Sequence, residues 1–146
     1  MSFRGLFSPT LIHGRNYIET LLLTFTQYEL MNRSLDVMEF IVKRLEEEIV
    51  ALSYAIPYIR NLYRDYVRNL LEKEFRDLPL PDLDESDYLY DQVLGWMYRH
   101  AKQILGSRYN ALTESERRNN LRALCVRIVR TALMATLYKC GLVSIK

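Results

Sequence analysis

Apolar residues recur along most of this chain at intervals of three and four, the spacing of one helix face. No stretch alternates with the period of two that a half-buried strand requires. A first stripe runs through Leu11, Ile18, Leu21, Leu22, Phe25 and Tyr28 to about Met31. Ser8 and Pro9 offer a cap and a first-turn proline, but Gly14 weakens that turn and moves the expected start towards Arg15 or Asn16. After Asn32 and Arg33, Ser34 is the expected cap of a second helix, with Met38, Ile41, Val42, Leu45, Ile49 and Leu52 turned inward. Its other face carries Glu39, Lys43, Arg44, Glu46, Glu47 and Glu48 and reads as solvated surface. Pro57 removes a helix hydrogen bond and clashes with the preceding turn, so this helix either ends near Ser53 or kinks there.

The stripe resumes with Ile59, Leu62, Tyr63, Tyr66, Val67, Leu70 and Leu71 and runs to about Arg76. Residues 77–86 hold Pro79, Pro81 and a run of acids, the clearest loop in the chain. A fourth helix is expected from near Ser86 or Asp87, with Leu89, Val93, Trp96, Met97, His100 and Ile104 on its stripe and Gly106 as its stop. Thr113-Glu114-Ser115-Glu116 is a capping box and the strongest start signal present. The last helix follows through Leu121, Leu124, Cys125, Ile128, Ala132 and Leu133 to Tyr138 or Cys140, with Gly141 behind it. From Ala132 to Tyr138 it is apolar on every side, so it is either central to the fold or covered by a partner. The expectation is an all-α fold: a helical bundle of four to five helices with short loops, one domain over residues 1–146, with Pro57 deciding the count.

Composition agrees with this. With 146 residues, 49% of them apolar and 26% charged, the chain resembles an ordinary soluble globule and is long enough to bury a core without staples. Five glycines and four prolines leave long segments free of helix breakers. No apolar run approaches the ~20 residues that span a bilayer, so no membrane partner is expected. The opening Met-Ser-Phe-Arg-Gly-Leu-Phe lacks a secretory apolar region, which points to a cytoplasmic location. Cys125 and Cys140, fifteen residues apart on one expected helix and so roughly 22 Å apart, cannot bridge each other and read as buried thiols.

Charge changes the picture more. The net charge of +2 hides a separation: residues 77–91 carry six acids and no base, whereas residues 92–146 carry ten bases against Glu114 and Glu116. Two groups of cations stand out. Arg60, Arg64 and Arg68 recur every four residues as one row, interleaved with Tyr54, Tyr58, Tyr63 and Tyr66. Arg117, Arg118, Arg122, Arg127 and Arg130 make the last helix basic, with Arg99, Lys102 and Arg108 close by in sequence. Guanidinium groups take phosphates bidentately and tyrosine rings stack on bases, so both groups are candidate nucleic-acid or partner contacts. Arg117 and Arg118 lie in a first turn, where positive charge opposes the helix dipole unless a partner offsets it. The acidic loop, with Asp77, Asp82, Asp84, Glu85 and Asp87, is a candidate polyanion mimic. Leu78, Leu80 and Leu83 between those acids can anchor it on a partner. The other reading of each group is a solvated or core-flanking face.

Nothing names a reaction. The two histidines, His13 and His100, are far apart in sequence, and His100 lies on an apolar stripe. Phosphate-loop, dinucleotide and zinc-protease motifs are absent. Expected are no catalytic residues, no metal site and no cofactor.

Eleven tyrosines, fifteen arginines and three glutamines (Gln27, Gln92, Gln103) give the chain a distinct character. In size, composition and helix count it resembles the small helical-bundle proteins of hyperthermophilic archaeal viruses, among them those of two-tailed spindle-shaped viruses. That group includes a coat protein and a related inhibitor that occupies the DNA channel of host RNA polymerase. The resemblance implies a host-cell cytoplasmic or virion location. The leading expectation is therefore a non-enzymatic binding protein acting on nucleic acid or a nucleic-acid machine such as RNA polymerase. The alternative is a self-assembling coat protein, a homo-oligomer joined through the C-terminal helix.

Overall fold

A computed structural model describes residues 15–30, 34–83 and 88–143 of the chain, and within them every regular element is helical. Six α-helices follow in order: α1 (Arg15–Leu30), α2 (Leu35–Leu52), α3 (Tyr58–Glu74), α4 (Leu89–Arg99), α5 (Ala101–Leu105) and α6 (Glu114–Lys139). A 3-10 helix, Gly106–Ala111, joins α5 to α6. The cap expected at Ser8 and Pro9, Gly14, Asn32, Arg33 and the loop positions Asp84, Glu85, Ser86 and Asp87 lie outside the described residues.

The helix count exceeds the expected four to five because the fourth helix is divided. His100 has φ −112° and ψ 25°, off the helical conformation, and separates α4 from the single turn of α5. Pro57 breaks its helix rather than bending it. α2 stops at Leu52 with Ser53 as its C-cap, and α3 starts directly behind Pro57, whose missing N–H costs nothing at a helix start. Other boundaries follow local chemistry. Ser34 Oγ accepts from Val37 N. Thr113 Oγ1 accepts from Glu116 N at 3.1 Å while the Glu116 carboxylate accepts from Thr113 N at 2.9 Å, a complete capping box. Gly106 (φ 58°) and Gly141 (φ 72°) take the left-handed conformations that end α5 and follow α6.

α6, roughly 39 Å long, is the axis of the bundle. It packs against α2, α3 and α4, with α5 touching it as well, while α1 lies on α2. That placement answers the question raised by the apolar Ala132–Tyr138 turns. Ala132, Leu133, Thr136 and Leu137 are buried by neighbouring helices, and Tyr138 stands out in solvent. One buried cluster takes side chains from all six helices, from Ile18 and Phe25 on α1 to Leu121, Val129 and Leu133 on α6. Leu83 belongs to it, and Leu78 and Leu80 pack against its edge. Trp96 Nε1 donates to the Pro79 carbonyl at 2.9 Å. The leucines of the acidic loop thus anchor it on the protein's own core, and the expected partner-anchoring role gives way to this contact.

Candidate nucleic-acid interface

The polar side chains of this bundle sort into two sets by what they already hold. The first set is internal. Glu46 projects from α2 towards the start of α4 and is buried, with 2% of its surface exposed. Its Oε2 accepts from Tyr63 Oη, from Leu89 N at 2.9 Å and from Tyr90 N at 3.0 Å. Those two amides are orphan donors at the N-terminus of α4, whose own N-cap residue, Tyr88, offers no side-chain bond. A carboxylate from a remote helix therefore does the capping. Burial pushes the Glu46 carboxyl up to about 7, against the opposing pull of its three donors. The same burial raises the Tyr63 hydroxyl, which the neighbouring Glu46 charge also disfavours ionising.

Two turns earlier on α2, Glu39 accepts from Tyr90 Oη at 2.5 Å, and the same carboxylate receives Arg122 Nε at 3.3 Å and Nη2 at 3.0 Å. Arg122 also bonds Asp36. Burial would raise the Glu39 carboxyl, but the bonds from Arg122 and Tyr90 outweigh it and hold the group below its ordinary range. The bonds to Glu39 and Asp36 in turn push the Arg122 guanidinium up. Cys125 is buried beneath this network with its Sγ 3.6 Å from the Tyr90 carbonyl, and burial pushes its thiol up, the state of an inert thiol. Glu46 and Glu48, placed by the sequence pattern on a solvated face, are thus interior residues. The reason is that α2 is covered by α1 on one side and by α4 and α6 on others, so little of its circumference meets water.

The second set lies on α4, α5, the 3-10 helix and the start of α6, with Tyr98, Lys102 and Arg118 exposed and Tyr109 and Arg117 half-buried. The Arg117 guanidinium lies 4.0 Å from the Tyr109 ring centroid, and its Nε donates to the Tyr109 carbonyl at 2.7 Å. This contact offsets the unfavourable dipole position of Arg117. Lys102 Nζ is 5.6 Å from the same ring. Arg118 sits 5.7 Å from the Tyr98 ring and 3.8 Å from Glu114, with both members of that ion pair largely in solvent. Arg99 and Arg108 are exposed nearby in sequence. Two cation–tyrosine pairings thus flank the start of α6, Lys102 and Arg117 at Tyr109 and Arg118 at Tyr98, with Glu114 beside Arg118 and Glu116 engaged in the capping box.

The other anticipated cations are distributed more widely. Arg122 is bound to Asp36 and Glu39, as above. Arg130 is half-buried with its guanidinium 4.8 Å from the Phe25 ring. Arg127 is exposed and pairs with Glu74 at 3.1 Å. Arg60, Arg64 and Arg68 flank the buried Ile59–Tyr63–Val67 stripe, and all three are half-buried and engaged within the chain. Arg64 reaches Asn61 at 3.2 Å and Arg68 reaches Asp65 at 3.3 Å. Asp77 and Asp82 of the acidic loop are exposed. The structure therefore brings Arg117 together with Lys102 at the Tyr109 ring, and places Arg118 beside Tyr98, whose hydroxyl also feels Arg122 and Glu39. Tyr98 and Tyr109 are the members that sequence reasoning missed. Their signal was the alternation of aromatic and basic residues in Tyr98-Arg99 and Arg108-Tyr109.

Among the described residues no three His, Cys, Asp or Glu side chains are grouped to hold a metal ion. Within the same residues no helix is long and apolar enough to cross a membrane. Searches of protein-family models, curated proteins and solved structures match nothing to this chain.

Proposed function

We propose that this chain is a non-enzymatic binding protein acting on nucleic acid or on a nucleic-acid machine, with an inhibitor of host RNA polymerase as its specific form. The observation that carries the reading is the pairing of surface cations with tyrosine rings, Lys102 and Arg117 at Tyr109 and Arg118 at Tyr98. Cations there meet phosphates, and the exposed Tyr98 ring offers a base a face to stack on. The buried titratable groups support a binding role as well, because Glu39, Glu46, Tyr63 and Tyr90 spend their hydrogen bonds on holding helices together. The test is binding of fluorescein-labelled single- and double-stranded DNA across a salt series. Lys102→Glu with Arg118→Glu is expected to abolish salt-sensitive binding without changing the helical circular dichroism. Unaltered binding by that variant would exclude this surface. Absence of DNA binding together with salt-sensitive binding to a purified RNA polymerase would assign the surface to the protein machine.

The alternative reading is a self-assembling coat subunit. It is favoured by the large exposed side chains Tyr54 and Ile56 in the α2–α3 connection, Tyr58 at the start of α3 and Tyr138 near the end of α6. Tyr58 interacts with Cys140, so α3 begins beside the end of α6. Concentration-dependent growth in light scattering, lost in Tyr58→Ser with Tyr138→Ser, is its expected signature.

A further inference from the structure

A groove of about 400 Å³ opens where α1, the start of α2 and the middle of α6 converge on the α5 corner. Leu35, Met38, Leu105 and Leu124 form its floor, and Arg108 and Arg127 are the charged residues of its lining. No acid is among its described lining residues. Leu35, Met38 and Leu124 remain half-buried, so apolar surface is left to cover. Asp36, beside Leu35 in sequence, is held by Arg122. A second groove of about 480 Å³ shares Arg108, Leu124 and Arg127 with the first and continues it towards Phe75 and Leu78. Arg76 adds a third cation there, against Glu74 and Asp77. Glu74 pairs with Arg127 at 3.1 Å, but both side chains are largely solvated, so the pair is weak and exchangeable for another carboxylate.

We propose that this groove docks an acidic amphipathic helix of a partner protein. The stretch Asn120–Arg127 that forms the α6 wall rises ~10 Å, about two helical turns. A partner helix of that length presents apolar anchors at i, i+3, i+4 and i+7 to the leucine floor, the recurring helix-in-groove mode. Its flanking carboxylates meet Arg108 and Arg127, the charged groups among the described lining residues, which gives the charge match its sign. A nucleic acid is poorly served here, since the leucine floor offers phosphate and sugar no hydrogen bonds. The groove uses residues other than Lys102, Arg117, Arg118, Tyr98 and Tyr109, so it stands or falls separately from the nucleic-acid surface.

The test is fluorescence anisotropy of the full chain with labelled 16-residue helical peptides of Leu, Ala and Glu. One peptide carries leucines at i, i+3, i+4 and i+7, a second has the same composition scrambled, and a third has Lys for Glu. Unlabelled oleate and a single-stranded DNA oligomer serve as competitors. The patterned acidic peptide is expected to bind at least tenfold more tightly than the scrambled and basic ones. Arg108→Glu with Arg127→Glu, both exposed positions, is expected to weaken it at least tenfold, and Lys102→Glu with Arg118→Glu to leave it unchanged. Equal binding of patterned and scrambled peptides, indifference to the Arg108 and Arg127 reversals, or displacement by oleate or DNA at equal concentration would each overturn the proposal.

Discussion

Arg118 and Arg122 stand one turn apart on the same helix and both face Tyr98, yet they are held in different ways. Arg122 is one-fifth exposed and is fastened to Glu39 and Asp36 of α2, while Arg118 is about two-thirds exposed and shares solvent with Glu114 and Tyr98. Both regions are built from arginine, glutamate and tyrosine. What differs is whether acids and hydroxyls from other helices reach the cation before solvent does. Inside the bundle such groups act as helix fasteners, and outside it they remain available to a partner. Residue type alone does not mark a binding surface, because the same residues close the fold.

The largest effect should come from the deepest fastener. Glu46→Ala leaves the Tyr63 hydroxyl and the Leu89 and Tyr90 amides without their acceptor in a dry interior. It is expected to cost about 3–5 kcal/mol in urea unfolding. A cost below about 1 kcal/mol would mean that α4 does not depend on this carboxylate.

Glu46 also sets a pH dependence. Its carboxyl stands at about 7 in the folded chain, above its ordinary value of 4.5, so the folded state binds the proton more tightly than the unfolded state. The associated stability is fully present below about pH 4.5 and is lost as pH rises through about 7, a change of ~3 kcal/mol. Glu39 has the opposite shift, and its contribution is lost only as pH falls through the acidic range, so the two separate. Unfolding free energies at pH 5 and pH 8 should therefore differ more in the wild type than in Glu46→Gln. An equal difference in the two proteins would remove Glu46 as the cause.

The comparison sharpens at the two arginines. Arg122→Gln strands the mostly buried Glu39 and is expected to cost about 2 kcal/mol, whereas Arg118→Gln, which loses only a solvated pair, should stay within about 0.5 kcal/mol of wild type. Between these lies Thr113→Ala. It removes one half of the capping box at the start of α6 and is expected to cost about 1 kcal/mol, read as a shift of the thermal midpoint.

The fold was largely legible because helical periodicity and caps are local. Ser34, Thr113 with Glu116, Gly106 and Gly141 lie where their chemistry demands. The buried side of α2 was not legible, since Glu46 is interior only through the later arrival of Tyr63, Leu89 and Tyr90, and no spacing within α2 encodes that. The division of the fourth helix at His100 was hidden for a similar reason, as the apolar stripe runs through it unbroken. For the surface, sequence reasoning found the basic character of α6. It missed that Arg122 and Arg130 are turned to Glu39 and Phe25, and that Tyr98 and Tyr109 supply the rings beside Arg118 and Arg117.

The most direct test is a paired salt titration of labelled DNA binding by wild type, Arg118→Gln and Arg122→Gln, each with its unfolding free energy measured in the same buffer. The division predicted here is that Arg118→Gln keeps its stability but lowers the slope of log affinity against log salt by about 0.7–0.9, one phosphate contact. Arg122→Gln, kept at a temperature where it is folded, should lose stability and retain the wild-type slope. The opposite assignment, with Arg122→Gln flattening the salt dependence and Arg118→Gln leaving it untouched, would contradict the separation of fastening from binding cations.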